Sequence, residues 1–217
     1  MREIEQKLDQ GYINHYSEGL YDVRNHRFAE MLARYADAPL RIFEFAGSGG
    51  FLAREIISML PERSIEYYHH SDGSPDMVEN AKCLLPRREN VLIETIDMVG
   101  QFDAISWTDY NVFVCANIEH LPNDMAIVEA MPPGALVLIN TPTYDSRWHH
   151  FHTPCFCDLM ARYWRYIDFL EFERIDKPHP GLLRRNYGRL LKWSKLPLAD
   201  DLIKRDSKLI FIGRRRA

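Results

Sequence analysis

No apolar run in the 217-residue sequence approaches the ~18–20 residues that a membrane-crossing helix needs, which excludes a helical span. The N-terminal stretch Met1-Arg2-Glu3-Ile4-Glu5-Gln6-Lys7 is charged and has no apolar centre of the kind a secretory signal carries. Cysteine is scarce, four residues without framework spacing, so a disulfide scaffold is excluded and a reducing, cytosolic setting is expected. Cys155-x-Cys157 has no second pair to complete a zinc site. There is no internal repeat and no low-complexity segment. No Gly-x-Gly-x-x-Gly opens a helix after a strand, which disfavours a dinucleotide enzyme whose pyrophosphate needs that turn.

What is present is an ordinary soluble composition, 46% hydrophobic and 27% charged, long enough for one domain with a substantial core. The net charge of -4 hides an asymmetry. Residues 181–217 hold 11 Lys and Arg against 3 acids, whereas the first 180 hold 16 against 28. A basic stretch of that kind attracts phosphates, an anionic membrane surface or nucleic acid, or is simply a solvated face.

Periodicity predicts helices over 2–10 and 18–36, the second carrying Leu20, Val23, Phe28, Met31, Leu32 and Tyr35 at helical spacing. Strands are expected over 40–45, 66–70, 91–96, 111–116, 135–140 and 208–213. Residues 102–107 are an alternative strand near the fourth. Helices are expected over 51–60 and 77–85, stopped by Pro61 and Pro86, and over 125–131. An aromatic-rich helix is expected over 157–170 and a helical insertion over 181–198. Buried strands alternating with helices predict an α/β fold, a mostly parallel sheet covered on both faces. The expected organisation is one domain: a helical cap over 1–38, a core over 39–155, and a C-terminal part over 156–217 with the basic insertion.

Such a sheet binds ligands beyond the C-terminal ends of its strands. Glu44, Asp72, Asp97, Asn117 to His120 and Asn140 to Tyr144 all fall there. Small residues Ala46-Gly47-Ser48-Gly49-Gly50 follow the first strand, and the second ends at Asp72. A turn that lets a ligand approach the backbone, with an acid on the next strand for ribose hydroxyls, points to a nucleoside-containing cofactor.

Asp72-Gly73-Ser74-Pro75-Asp76-Met77-Val78-Glu79-Asn80-Ala81-Lys82 is similar to the Asp-x-Ser-x-x-Met…Ala-Lys stretch of class I S-adenosylmethionine-dependent methyltransferases, in particular their small-molecule O-methyltransferase branch. Asn117 to Asp124 resembles that family's Glu-His segment after the fourth strand. Met131 to Pro142 resembles its Pro-Gly-Gly turn and fifth strand, and His149-His150-Phe151 its His-Phe pair. The likeness spans roughly residues 40–155. It implies a Rossmann-like seven-stranded sheet and S-adenosyl-L-methionine as cofactor. It further implies that Glu44 and the 46–50 backbone, including Ala46, Gly47, Ser48 and Gly50, face the methionine part. Asp72 and Gly73 would lie at the ribose, Met77 at the adenine face, Asp97 at the adenine amino group, the Met98 amide at a ring nitrogen, and Asn117 beside the cofactor. The family favours Glu/Asp-x-Gly-x-Gly-x-Gly, and here Ala46 and Ser48 replace the first two glycines. Because glycine alone readily takes φ > 0, the dihedrals of this turn are expected to differ.

Methyl transfer to a hydroxyl needs an in-line acceptor, exclusion of water and a base, and histidine suits the last task. His120 is the first choice of base and His150 the second. Tyr12, Tyr16, Trp148 and His149 are expected to contact the acceptor, a small molecule. No metal is expected, because the sequence-local His149-His150-x-His152 has poor geometry for three ligands at one ion. The alternatives are an RNA or other anionic-acceptor methyltransferase, or a non-catalytic S-adenosylmethionine-binding partner protein. Nucleic acid is not favoured, since no Asn/Asp-Pro-Pro-aromatic signature follows the fourth strand and no separate RNA-binding module is present. An anionic carrier or a membrane surface would meet the basic C-terminal part, and an exposed aromatic insertion is compatible with a homodimer.

Overall fold

A computed structural model describes residues 20–37, 39–116, 118, 121–142, 163–176 and 207–217. The expected helices over 2–10 and 181–198 lie outside the described residues. So do residues 157–162 of the expected aromatic helix.

Strands β1 (Leu40–Glu44), β2 (Ile65–Asp72), β3 (Val91–Thr95), β4 (Val112–Ala116), β5 (Leu136–Pro142), β6 (Ile167–Asp176) and β7 (Ser207–Arg215) form one seven-stranded sheet in the order β3-β2-β1-β4-β5-β7-β6. The first five are parallel neighbours, whereas β7 runs antiparallel to both β5 and β6. This is the Rossmann-like α/β architecture expected from the sequence. Among the described residues the α-helices are α1 (Leu20–Tyr35), α2 (Phe51–Met59), α3 (Pro75–Leu84) and α4 (Asp124–Ala130). Among the described residues no helix is long and apolar enough to cross a membrane.

Two apolar layers flank the sheet, which is why its central strands read as continuous apolar runs. On one face Phe28, Met31 and Leu32 of α1, Ile56 of α2 and Ala81 of α3 pack on Ile42, Tyr68, Val114 and Leu138. On the other, Ile127 and Val128 of α4 join Phe43, Phe113, Tyr110 and Ile139. The described part of the expected cap, α1, is thus a member of the covering layer. Arg34–Glu171 at 2.7 Å and Arg27–Glu173 at 3.5 Å tie it to β6 at the surface.

Two expectations are corrected. Residues 167–170 are strand, not the end of a helix: Ile167 pairs with Arg215 and Phe169 with Gly213, and Ile167 is buried while Asp168 is exposed. Pairing with β7 satisfies the backbone of this segment, a long-range gain that the local aromatic spacing does not report. Residues 102–107 form no strand either. Short 3-10 turns at Phe102–Ala104 and Trp107–Asp109 lay Phe102 and Trp107 against the second core.

The order of strands reverses at β1, which has β2 on one side and β4 on the other. Crossovers leave in opposite directions there and open a crevice beyond the C-terminal strand ends. Glu44 ends β1 and Asp72 ends β2, so the fold brings both acids to that edge.

Candidate functional site

The chain leaves β1 through Phe45, whose amide donates to the Val114 carbonyl at 3.1 Å, and turns sharply. Ala46 has φ 51°, Ser48 φ 54° and Gly50 φ 83°, so alternate residues occupy the left-handed region before α2 begins. Alanine and serine here take the left-handed conformation that glycine takes readily. Each such non-glycine residue costs roughly 1–2 kcal/mol, so the turn holds only because its surroundings over-determine it.

Ser48 shows how. Its amide donates to Asp72 Oδ2 at 2.8 Å, its carbonyl lies 3.0 Å from His70 Nε2, and its hydroxyl donates to Met77 Sδ at 3.5 Å. The Gly47 amide donates to the Ser71 carbonyl at 3.0 Å, and the Gly50 amide to the Gly47 carbonyl at 3.3 Å. Ala46 carries the same strain with a bare methyl group. Ala46→Gly is accordingly expected to raise the unfolding free energy by about 0.5–1 kcal/mol, the relief of strain exceeding the entropy glycine adds to the unfolded chain. A urea melt checks this.

Asp72 is half-buried and joins two loops. While Oδ2 holds the Ser48 amide, Oδ1 accepts the Ser74 amide at 2.9 Å, just before α3. An ionised carboxylate offers about four lone-pair sites and can accept from several donors at once. Among the described residues, the atom nearest to a Cβ added at Gly73 is the Ile96 carbonyl oxygen at 3.8 Å, an ordinary contact. Small side chains on the turn and a part-exposed acid beside it fit a nucleoside ligand that carries an amino-acid arm.

Beneath the turn lies an array for which the sequence reading has no counterpart. Glu44, 1% exposed, accepts from the Tyr68 hydroxyl at 3.1 Å and lies 2.6 Å from His70 Nδ1, all through Oε2. His70 is 0% exposed. Burial pushes its pKa down, but the charge and hydrogen bond of Glu44, the Ser48 carbonyl and the charge of Asp72 outweigh burial and raise it above the usual 6.5. Burial next to Glu44 raises the Tyr68 phenol well above 10.0. The signal was available in the strand period: Tyr68 and His70 alternate onto one face of β2, and Glu44 pairs with His70 in register. His69 points to the other face, 2.8 Å from the Tyr110 hydroxyl, and burial lowers its pKa despite Glu94 nearby.

Met77, 3% exposed, packs under the turn from α3. Asp97 is exposed and closes its own loop, Oδ1 accepting the Val99 amide at 3.0 Å. The Met98 side chain is buried in the second core, and its carbonyl accepts from Asn123 Nδ2 at 2.8 Å. The structure thus brings Glu44, Ala46, Gly47, Ser48, Gly50, Asp72, Gly73 and Met77 together, with Asp97 and Met98 beyond β3. Asn117, His120, His149, His150, Trp148, Tyr12 and Tyr16 lie outside the described residues.

No protein-family model matches this chain, and no curated protein matches it by sequence. Solved structures do. The N-methyltransferase NodS of Bradyrhizobium japonicum WM9, in complex with S-adenosyl-L-homocysteine, is similar with a TM-score of 0.65 and 13% identity. That likeness covers 93% of this chain and 90% of the other. The CurJ carbon methyltransferase is similar with a TM-score of 0.65 and 12% identity over 93% of this chain and 57% of that one. An S-adenosylmethionine-dependent methyltransferase of Mesorhizobium loti is similar with a TM-score of 0.54 and 16% identity, over 86% and 96% respectively. At these identities the likeness is one of fold, and the fold is that of methyltransferases acting on nitrogen as well as carbon.

Proposed function

We propose that this protein binds S-adenosyl-L-methionine and transfers its methyl group to a small-molecule acceptor, at a hydroxyl oxygen. The observation that carries the reading is the pairing of the left-handed turn after β1 with the part-exposed Asp72 carboxylate at the end of β2. The fold shared with proteins that use this cofactor supports it. The sulfonium supplies an already activated methyl, so the chain's own task is to orient, to exclude water and to accept a proton. Asp72 would accept from the ribose hydroxyls. Ala46, Gly47, Ser48 and Gly50 would let the amino-acid arm lie against backbone, and Asp97 with the Met98 amide would meet the base. His120, then His150, are the proposed acceptors of the substrate proton.

Calorimetry with S-adenosylmethionine tests the reading. Asp72→Ala is expected to bind about 100-fold more weakly than wild type, two charge-assisted hydrogen bonds being worth roughly 1.5–3 kcal/mol each before compensation. Circular dichroism of the variant separates loss of ligand from loss of fold. A wild-type protein that binds neither this cofactor nor its demethylated product would overturn the proposal.

The local basic charge of residues 181–217 favours a second reading of the acceptor, as one presented on an anionic carrier or surface. Reversing the charge at Arg184, Arg185 and Arg189 is then expected to raise the acceptor KM and leave cofactor affinity as it was. Equal KM values would assign that stretch to solvated surface. RNA binding that falls steeply with salt would instead support a nucleic-acid acceptor. Cofactor affinity without turnover on any acceptor would support a non-catalytic partner protein.

A further inference from the structure

The turn after β1 presents a physical difficulty. A loop meant to receive a ligand against its backbone must keep a fixed shape, yet two of its three left-handed positions carry side chains that disfavour that shape. Glycine at Ala46 and Ser48 would remove the strain. This protein lacks those glycines and has, directly underneath, a buried imidazole.

The ring of His70 spans the gap between strand and turn. Nδ1 is 2.6 Å from Glu44 Oε2 and Nε2 is 3.0 Å from the Ser48 carbonyl oxygen. A carbonyl only accepts, and a carboxylate only accepts when ionised. With Glu44 as the carboxylate, two acceptors on opposite sides of one ring take a proton on each nitrogen, that is, an imidazolium. Its charge is matched in place: Glu44 from β1, with Tyr68 donating to the same oxygen, and Asp72 further along β2. The ring fits so closely that a Cβ on Gly47 would lie 2.4 Å from His70 Cε1. Gly47 is therefore needed for space beside the ring.

We propose that His70, doubly protonated between Glu44 and the Ser48 carbonyl, is the positioning residue of this turn and keeps Ser48 in its left-handed conformation for the cofactor. The ligand role of the turn rests on the methyltransferase reading; the role of His70 toward Ser48 does not. Glu44 acts here through His70, its carboxylate being covered by the ring and the turn. The same array makes the turn proton-dependent: because folding raises the affinity of His70 for its proton, the ring stays charged below its folded pKa and releases the carbonyl as pH rises through it.

Three readouts test this on the whole chain. Long-range nitrogen–proton correlation spectra of 15N-histidine protein at neutral pH should show both ring nitrogens of His70 protonated. A neutral ring with a bare Nδ1 would overturn the proposal. Hydrogen exchange at the Ser48 amide should quicken about tenfold in His70→Gln and return to within about threefold of wild type in His70→Gln/Ser48→Gly, because glycine holds the left-handed shape unaided. Unchanged exchange in the single variant, or no recovery in the double one, would also overturn it. Affinity for S-adenosylhomocysteine should follow the same pattern, weakening about tenfold and then recovering. Should His70→Gln fail to fold, Glu44→Gln serves instead: the pH at which Ser48 loses protection should move down, and an unmoved profile refutes the assignment. A wild type that binds no S-adenosylhomocysteine would sink the methyltransferase reading alone, since the spectra and the exchange rates still decide the role of His70.

Discussion

Glu44→Ala is expected to lower the unfolding free energy by about 3–5 kcal/mol at pH 6, the scale seen when one member of a buried ion pair is removed. The carboxylate is fully enclosed, so its loss leaves His70 without the anion that keeps it charged and Tyr68 without its acceptor. A cavity the size of the removed side chain adds to the cost. The penalty should depend on pH in one direction. Because the His70 pKa is raised by folding, the pair contributes its full stability below the unfolded value of 6.5 and loses it as pH rises through the folded value. Urea melts of wild type and variant should therefore draw closer as pH rises, leaving at alkaline pH, where His70 is neutral in both, only the cost of the cavity and of the lost Tyr68 hydrogen bond. A gap that is small at pH 6, or that widens with pH, would mean that Glu44 and His70 do not share a charge.

Gly47→Ala is expected to cost about 3 kcal/mol, by overpacking against side chains that cannot retreat without breaking a hydrogen bond. The new methyl would stand 2.4 Å from His70 Cε1, 2.7 Å from its Nδ1 and 2.8 Å from Glu44 Cδ. These atoms belong to the buried pair, so the ring must tilt away from both Glu44 and Ser48. Gly49→Ala supplies the contrast. Its nearest neighbour is the edge of the Phe51 ring at 3.3 Å, which can rotate aside, so a cost below about 1 kcal/mol is expected. Thermal melts of the two variants side by side check the ranking. Equal losses would show that the turn yields as a whole and that the ring beneath it is not a fixed support.

Much of the platform was legible along the chain. Residues 40–45 and 135–140 read as short buried strands, where the structure has Leu40–Glu44 and Leu136–Pro142, and the helices after the first two strands end before Pro61 and near Pro86. Asp72 could be placed because it follows a strand and precedes the Ser74-Pro75 start of a helix, a local signature. The segment at 167–170 misled because aromatic residues at near-helical spacing also satisfy a strand once a bulge lies between Phe169 and Glu171.

Sequence by itself thus determined the alternation of strands and helices, and with it the edge at which acids and small residues gather, since those follow from local periodicity and breakers. It also determined that Ala46 and Ser48 stand where glycine is preferred. Only the tertiary structure decided what that substitution does. Glu44 and His70 are 26 residues apart and meet because β1 and β2 pair in one particular register, with a crossover between them. A shift of one residue would turn His70 to the opposite face of β2, where His69 now sits, and leave the turn without its support. Local propensity assigns Ala46 and Ser48 a right-handed or extended conformation. The Ser48 amide donating to Asp72, and the Ser48 carbonyl against His70, both residues of the neighbouring strand β2, hold Ser48 where propensity would not.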